Sequence, residues 1–244
     1  MKLFIPLAFL SLLSCGTQPA SPPVAKSDKD LIQERVASIR TWAPVCANGQ
    51  QTKVMPHTAC DDGDFALFAG ISCLAGESSQ CKFVAQSQDQ DGRFWRSPYL
   101  VNNDPTNAFS RDMALGVLAY AAKTKDVQAL ERWVSYVKAH DGKMCPVDTD
   151  GRCNASQAIR TLASFVGSKI GANIDWGDLP VFDQNAYGVQ LYLGSRLGPL
   201  GFPLHLGAAQ ILIMEELNLS NTYWINQARI ATGTPAITDT PQHL

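Results

Sequence analysis

No stretch of this sequence interleaves lysine and arginine with aromatic residues, and its 20 basic side chains are outnumbered by 22 acidic ones. Nucleic-acid binding, which needs a basic footprint, has no support. A G-x-S-x-G elbow, an H-E-x-x-H helix and a P-loop are all missing. "LGSRLGPLG" (193–201) is no dinucleotide fingerprint, because no strand precedes it. Alternating apolar and polar residues, the mark of half-buried strands, do not compete with helical spacing anywhere along the chain. Histidine is scarce, with 4 in 244 residues. His57-Thr-Ala-Cys60 offers two zinc ligands, but no second matching pair follows. No metal and no cofactor are therefore expected.

The chain opens "MKLFIPLAFLSLLSCG". Lys2 supplies a positive n-region, and the apolar stretch from Leu3 to Leu13 is too short to span a bilayer. That pattern predicts a secretory signal over residues 1–14. Leu12-Leu13-Ser14-Cys15 resembles a lipobox, which implies cleavage before Cys15 and acylation (palmitate included) of its side chain and new amino terminus. Gly16 follows where inner-membrane retention would use aspartate. The resemblance therefore implies a lipid anchor in the outer membrane. Residues 15–28 form a Pro/Ser-rich tether without apolar periodicity. Residues 29–233 are expected to form one helical domain, and 234–244 a frayed tail.

Cysteine is plentiful, with seven in the chain. Setting Cys15 aside leaves Cys46, Cys60, Cys73, Cys81, Cys145 and Cys153, an even number in an exported chain, which argues for disulfides. Connectivity is not fixed by sequence. The pairing Cys46–Cys60, Cys73–Cys81 and Cys145–Cys153 is preferred because each closes a local loop.

Helical spacing dominates the rest. Residues 28–42 are amphipathic, with Leu31, Ile32, Val36 and Ile39 on one side. Residues 64–76 and 110–123 are apolar almost all round, as a helix buried on all sides must be. Residues 126–138 instead place Val127, Leu130, Trp133, Val134 and Val137 on one stripe, with water expected opposite. The short link between 110–123 and 126–138 predicts antiparallel neighbours, a buried inner helix followed by an outer one. Residues 154–171 and 183–198 are two further helices, and 203–219 with 221–233 repeat the hairpin pattern. The fold class expected is all-α, built from disulfide-stapled helical hairpins in an α/α toroid-like arrangement. "GRFWRSPYLV" (92–101) reads as a short extended arm.

The chemistry concentrates where acids meet helix starts. In "CDDGDFALFAGISC" (60–73), Asp61, Asp62 and Asp64 precede an apolar helix. One aspartate meets the need of an N-cap and three exceed it. Crowded carboxylates repel, which favours one of them keeping its proton and serving as a general acid. Ser110-Arg111-Asp112 has the same shape. Capping and acid–base chemistry both account for these residues. If the two helices start at one rim, Asp64 and Asp112 converge as the pair of carboxylates that glycoside hydrolysis uses. Trp95, Arg96 and Tyr99 lie between them in sequence, suited to stacking on sugar faces and binding anionic groups, or to packing a loop. Arg111 suits a substrate carboxylate. His205 opens another apolar helix, where a lone histidine is ordinarily a core residue. "SQDQDGR" and "PVDTDGR" share Asp-x-Asp-Gly-Arg, a calcium-loop opening without its closing glutamate, and Asp-Gly turns alone explain them.

"DDGDFALFAGISC", "DQDGRFWRSPY" and "NAFSRDMALGVLAYAAKTKDVQALERW" together resemble secreted bacterial proteins with six-hairpin, glycosidase-like α/α toroids. The resemblance covers residues 60–140. It implies acids at inner-helix ends and an aromatic-lined cleft. The chain is short for six hairpins, so an incomplete ring is expected. The site implied is Asp64 and Asp112 as catalytic carboxylates, with Asp62, Trp95, Arg96, Tyr99, Arg111 and His205 binding substrate. The partner implied is a glycan or peptidoglycan-like polymer. The alternative is a non-catalytic envelope lipoprotein that binds a glycan, peptide or protein in a helical groove.

Overall fold

The computed structural model describes residues 65–103, 108–146, 151–197, 202–219 and 222–232. Residues 28–42, Asp61, Asp62, Asp64, Cys15, Cys46 and Cys60 lie outside the described residues. Among the described residues the protein is all-helical, with eight α-helices and no strand. They are α1 (Phe65–Leu74), α2 (Ser78–Gln86), α3 (Arg111–Thr124), α4 (Val127–Ala139), α5 (Gln157–Ile170), α6 (Gln184–Leu197), α7 (Phe202–Glu216) and α8 (Tyr223–Thr232). None of these helices is long and apolar enough to cross a membrane.

The hub is α3. Every side chain from Asp112 to Ala122 is buried, and the helix touches α1, α2, α4, α5 and α7. Its apolar circumference forces this, since a helix without a polar face has none to turn to water. Alanines and Gly116 hold its diameter down. α1 crosses it so closely that a methyl group on Gly70 would strike the backbone of Gly116, and one on Gly116 would strike Ala66 and Leu67.

α4 has the outer-helix character its stripe predicts. Leu130, Trp133, Val134 and Val137 are buried, together with Ala129. Lys125 ends α3 in the left-handed conformation. Asp126 then caps α4 by accepting from the backbone N–H of Ala129 at 3.0 Å, and it also accepts from the Tyr120 hydroxyl. The link between the helices is thus fixed by its own side chains.

The last three helices pack on one another. Gly188 near the start of α6 lies against Trp224 and Ile225 at the start of α8. Gly207 near the start of α7 lies instead against Ser195 and Thr232, late in α6 and α8. α6 and α8 therefore run parallel, with α7 antiparallel to both.

Two of the expected disulfides are present. Cys73–Cys81 joins α1 to α2, with Cα atoms 4.8 Å apart. Cys145–Cys153 closes the loop before α5, at 5.3 Å. α2 is a helix that the sequence reading did not assign, with Gln80, Phe83 and Val84 buried at the i, i+3, i+4 spacing. It gains helix-stabilising contacts from the disulfide and from burial of Gln80, Phe83 and Val84.

Candidate functional site

The segment 87–100 is built around Asp89. One carboxylate oxygen accepts from the backbone N–H groups of Asp91 and Arg93, both at 3.0 Å. The other accepts from the Trp95 indole N–H at 2.7 Å. Gly92 supplies the turn with φ +92°, a conformation only glycine adopts cheaply. Gln88 and Phe94 then face each other in an isolated antiparallel bridge. The extended arm is real but short, and it ends in a 3₁₀ turn, Pro98–Leu100.

This construction fixes the arm's side chains. Trp95 is only 6% exposed, and the Arg93 guanidinium sits 3.6 Å above its ring. One face and the N–H of the indole are therefore occupied within the protein, so Trp95 holds the arm together instead of presenting a ring to solvent. Tyr99 points outward at 40% exposure. Ser97 accepts from the Tyr99 N–H at 3.2 Å and starts the turn that carries the ring. Arg96 is half-buried. Its backbone carbonyl accepts from the N–H of Ala66 at 3.0 Å, one of the donors that a helix start leaves without an intrahelical partner. The arm is thereby tied to the first turn of α1.

Asp112 lies in the first turn of α3, with Ser110 at the N-cap position but making no side-chain cap bond. Asp112 is 9% exposed, and its carboxylate has no hydrogen-bond or ion-pair partner among the described residues. Gly116, one turn further along α3, meets Ala66 of α1. The first turn of α1, the Arg96 carbonyl and the first two turns of α3 thus form one neighbourhood. Arg111 is exposed beside it.

His205 is exposed, which corrects the reading of it as a core residue. α7 is amply apolar further along, where Ala209, Ile211, Ile213 and Met214 take the buried positions. Lys123, late in α3, pairs with Glu216 at the end of α7 at 3.3 Å. The two helices therefore finish at the same side of the bundle, and Asp112 and His205 both belong to the opposite ends of their helices.

Among the described residues no group of three or more His, Cys, Asp or Glu side chains is placed to hold a metal ion. Both oxygens of Asp89 serve the turn, which accounts for the first Asp-x-Asp-Gly-Arg motif. Sequence reasoning passed over Asp89 and Arg93 as organisers. The signal available was the motif itself, Asp followed by Gly three residues on, which favours a turn closed by the aspartate side chain.

Asp64 and Asp62 precede α1 in sequence and lie outside the described residues, as do Cys15, Cys46 and Cys60. The class defined by the fold of the described residues is all-helical, with two disulfides. No family model, no curated protein and no solved structure matches the chain.

Proposed function

We propose that this is a lipid-anchored protein of the bacterial cell envelope that hydrolyses glycosidic bonds in a glycan or peptidoglycan-like polymer, with Asp112 and Asp64 as its two carboxylates. The observation that carries this reading is Asp112, 9% exposed in the first turn of α3 beside the start of α1, with no hydrogen-bond or ion-pair partner among the described residues. A carboxylate that no other described group engages is available to a ligand. In the proposed reaction one carboxyl group donates a proton to the glycosidic oxygen as the bond to the sugar carbon breaks. The other stabilises or attacks that carbon, and water completes the hydrolysis. Tyr99 would stack on a sugar face, while Arg96, Arg111, His205 and Asp62 would bind hydroxyl and anionic groups. The convergence of five helices on α3 supports a bundle with a central helix more than an open ring of hairpins.

The second reading is a protein that binds a glycan, peptide or protein partner in a helical groove without cleaving it. The deciding assay is release of reducing ends from peptidoglycan and envelope polysaccharides. Asp112→Asn should lower the rate by roughly 10²–10⁴-fold with an unchanged melting temperature. A folded wild type that binds these polymers and releases nothing would establish the binding reading. For the anchor, wild type should incorporate a fatty-acid probe and Cys15→Ser should not.

A further inference from the structure

The start of α3 is open. Its first intrahelical bond runs from the Ala114 N–H to the Ser110 carbonyl at 3.1 Å, so the N–H groups of Arg111, Asp112 and Met113 have no carbonyl to reach within the helix. Ser110 stands at the N-cap position with extended backbone (φ −92°, ψ 168°), yet its hydroxyl makes no cap bond. Ser110 and Asp112 are each 9% exposed, and among the described residues neither side chain has a partner. Their oxygens keep an edge to solvent, unlike Gln80 Oε1 and the Trp133 indole nitrogen, which are unpartnered and sealed.

The chain is held as it enters this turn. Phe109 is 1% exposed, and its N–H donates to Cys145 Sγ at 3.1 Å, within the Cys145–Cys153 disulfide. Backbone N–H groups and the Ser110 hydroxyl therefore offer donors, and Asp112 an acceptor, fixed within one helical turn. A ligand carboxylate would satisfy the donors and face the Asp112 charge. A ligand ammonium would satisfy Asp112 and meet the positive end of the helix dipole. A hydroxyl donates and accepts through one atom, so it serves both sides only where they converge on a point. A secondary amide is uncharged, accepts at its carbonyl oxygen and donates at its N–H, and so spans the two sides.

We propose that the start of α3 recognises the acetamido group of an N-acetylated hexosamine. The carbonyl oxygen accepts from the Ser110 hydroxyl and the first-turn N–H groups, and the amide N–H donates to the Asp112 carboxylate. On a hexosamine that nitrogen sits on the carbon next to the one whose glycosidic bond breaks. A carboxylate accepting from it lies beside the positive charge that hydrolysis develops, which suits Asp112 to the stabilising role and leaves proton donation to Asp64. The inference deepens the glycan reading of this site and rests on it for placing a sugar at Asp112. What it adds is the substrate class, an N-acetylated polymer in preference to a neutral, deacetylated or acidic one.

The test compares three β-1,4-linked hexasaccharides that differ only at the second carbon, those of N-acetylglucosamine, glucosamine and glucose, titrated calorimetrically into the full chain. The acetylated hexamer is expected to bind at least about tenfold more tightly than either other. Ser110→Ala and Asp112→Ala should each reduce that preference by about tenfold and leave the affinity for the glucose hexamer unchanged. The wild-type comparison needs no variant, so it decides even where one fails to fold. Equal binding of the three hexamers, or tighter binding of the glucosamine or glucose hexamer, would overturn the inference and leave the glycan reading standing. Binding of none would overturn the inference, and reducing-end release from envelope polysaccharides would then decide the wider reading separately. A Ser110→Ala variant with a lowered melting temperature and an intact preference would also overturn it, because Ser110 would then serve the helix alone.

Discussion

Gly70 of α1 and Gly116 of α3 stand backbone to backbone, each occupying space that a single methyl group on the other's helix would need. The contact sets how near the two most intimately packed helices approach. It thereby brings the start of α1 alongside Asp112. Gly70→Ala and Gly116→Ala should each gain up to about 1 kcal/mol of helix propensity and lose more than that to overpacking, a net loss of about 1–3 kcal/mol. Gly194 is the control. It lies in α6 with open space where its Cβ would stand, so Gly194→Ala should stabilise by about 0.4–1 kcal/mol. Denaturant titration of the three variants checks this. Equal effects at all three positions would contradict the close approach.

The two observed disulfides should differ in accessibility. Cys145 and Cys153 are both buried, whereas Cys81 is only partly so. With reductant added in steps to the native protein, thiol labelling should appear at Cys73 and Cys81 before Cys145 and Cys153. Each bridge spans a sequence separation of 8, and its loss should cost about 2–3 kcal/mol on the chain-entropy account. Labelling of Cys145 or Cys153 first would run against this order.

Tyr120 should make the protein sensitive to alkali. Burial first, and then the hydrogen bond to Asp126, hold its hydroxyl proton well above the usual tyrosine range. A group whose pKa is raised by folding contributes stability that is present below its unfolded value, about 10, and is lost as pH rises through the folded value. Stability should therefore fall above about pH 10. Tyr120→Phe should be less stable by about 0.5–1.5 kcal/mol at pH 8, and the gap from wild type should narrow above pH 10. Parallel stability curves across that range would refute the assignment.

Arg160 straps a loop to α5. Its guanidinium, 9% exposed, donates to the Ala155 carbonyl and twice to that of Pro180, at 3.2 and 3.0 Å. Lysine has no planar fork to reach both carbonyls. Arg160→Lys should cost about 1–3 kcal/mol and speed amide exchange at Phe182, whose N–H bonds the Thr161 hydroxyl at 2.7 Å. Unchanged exchange there would mean that the loop is held by other contacts.

One helix start was legible. Ser110-Arg111-Asp112 marked a helix start by residue type alone, and α3 begins there. What Trp95 does was not legible, because "RFWRSPY" serves equally for a stacking platform and for a packed arm. Its role is decided by Asp89 six residues earlier and by Arg93 folding back over the ring, contacts that require the turn at Gly92 to have formed. The exposure of His205 was not legible for a related reason. An apolar helix has a most buried side, and only its neighbours define which side that is.

Sequence by itself determined that the described residues are helical and that 110–123 is an inner helix and 126–138 an outer one, and its preference for pairing neighbouring cysteines holds at Cys73–Cys81 and Cys145–Cys153. All of these follow from short-range physics: side-chain periodicity, turn length and loop closure. The central position of α3, the parallel course of α6 and α8, the crossing at Gly70 and Gly116, and the exposure of Leu197 and Ile230 were decided only by tertiary structure. Each depends on which surfaces meet across long sequence separations. Hydrophobic burial is non-directional, so an apolar pattern states that a surface must be covered and leaves the choice of partner to backbone fit.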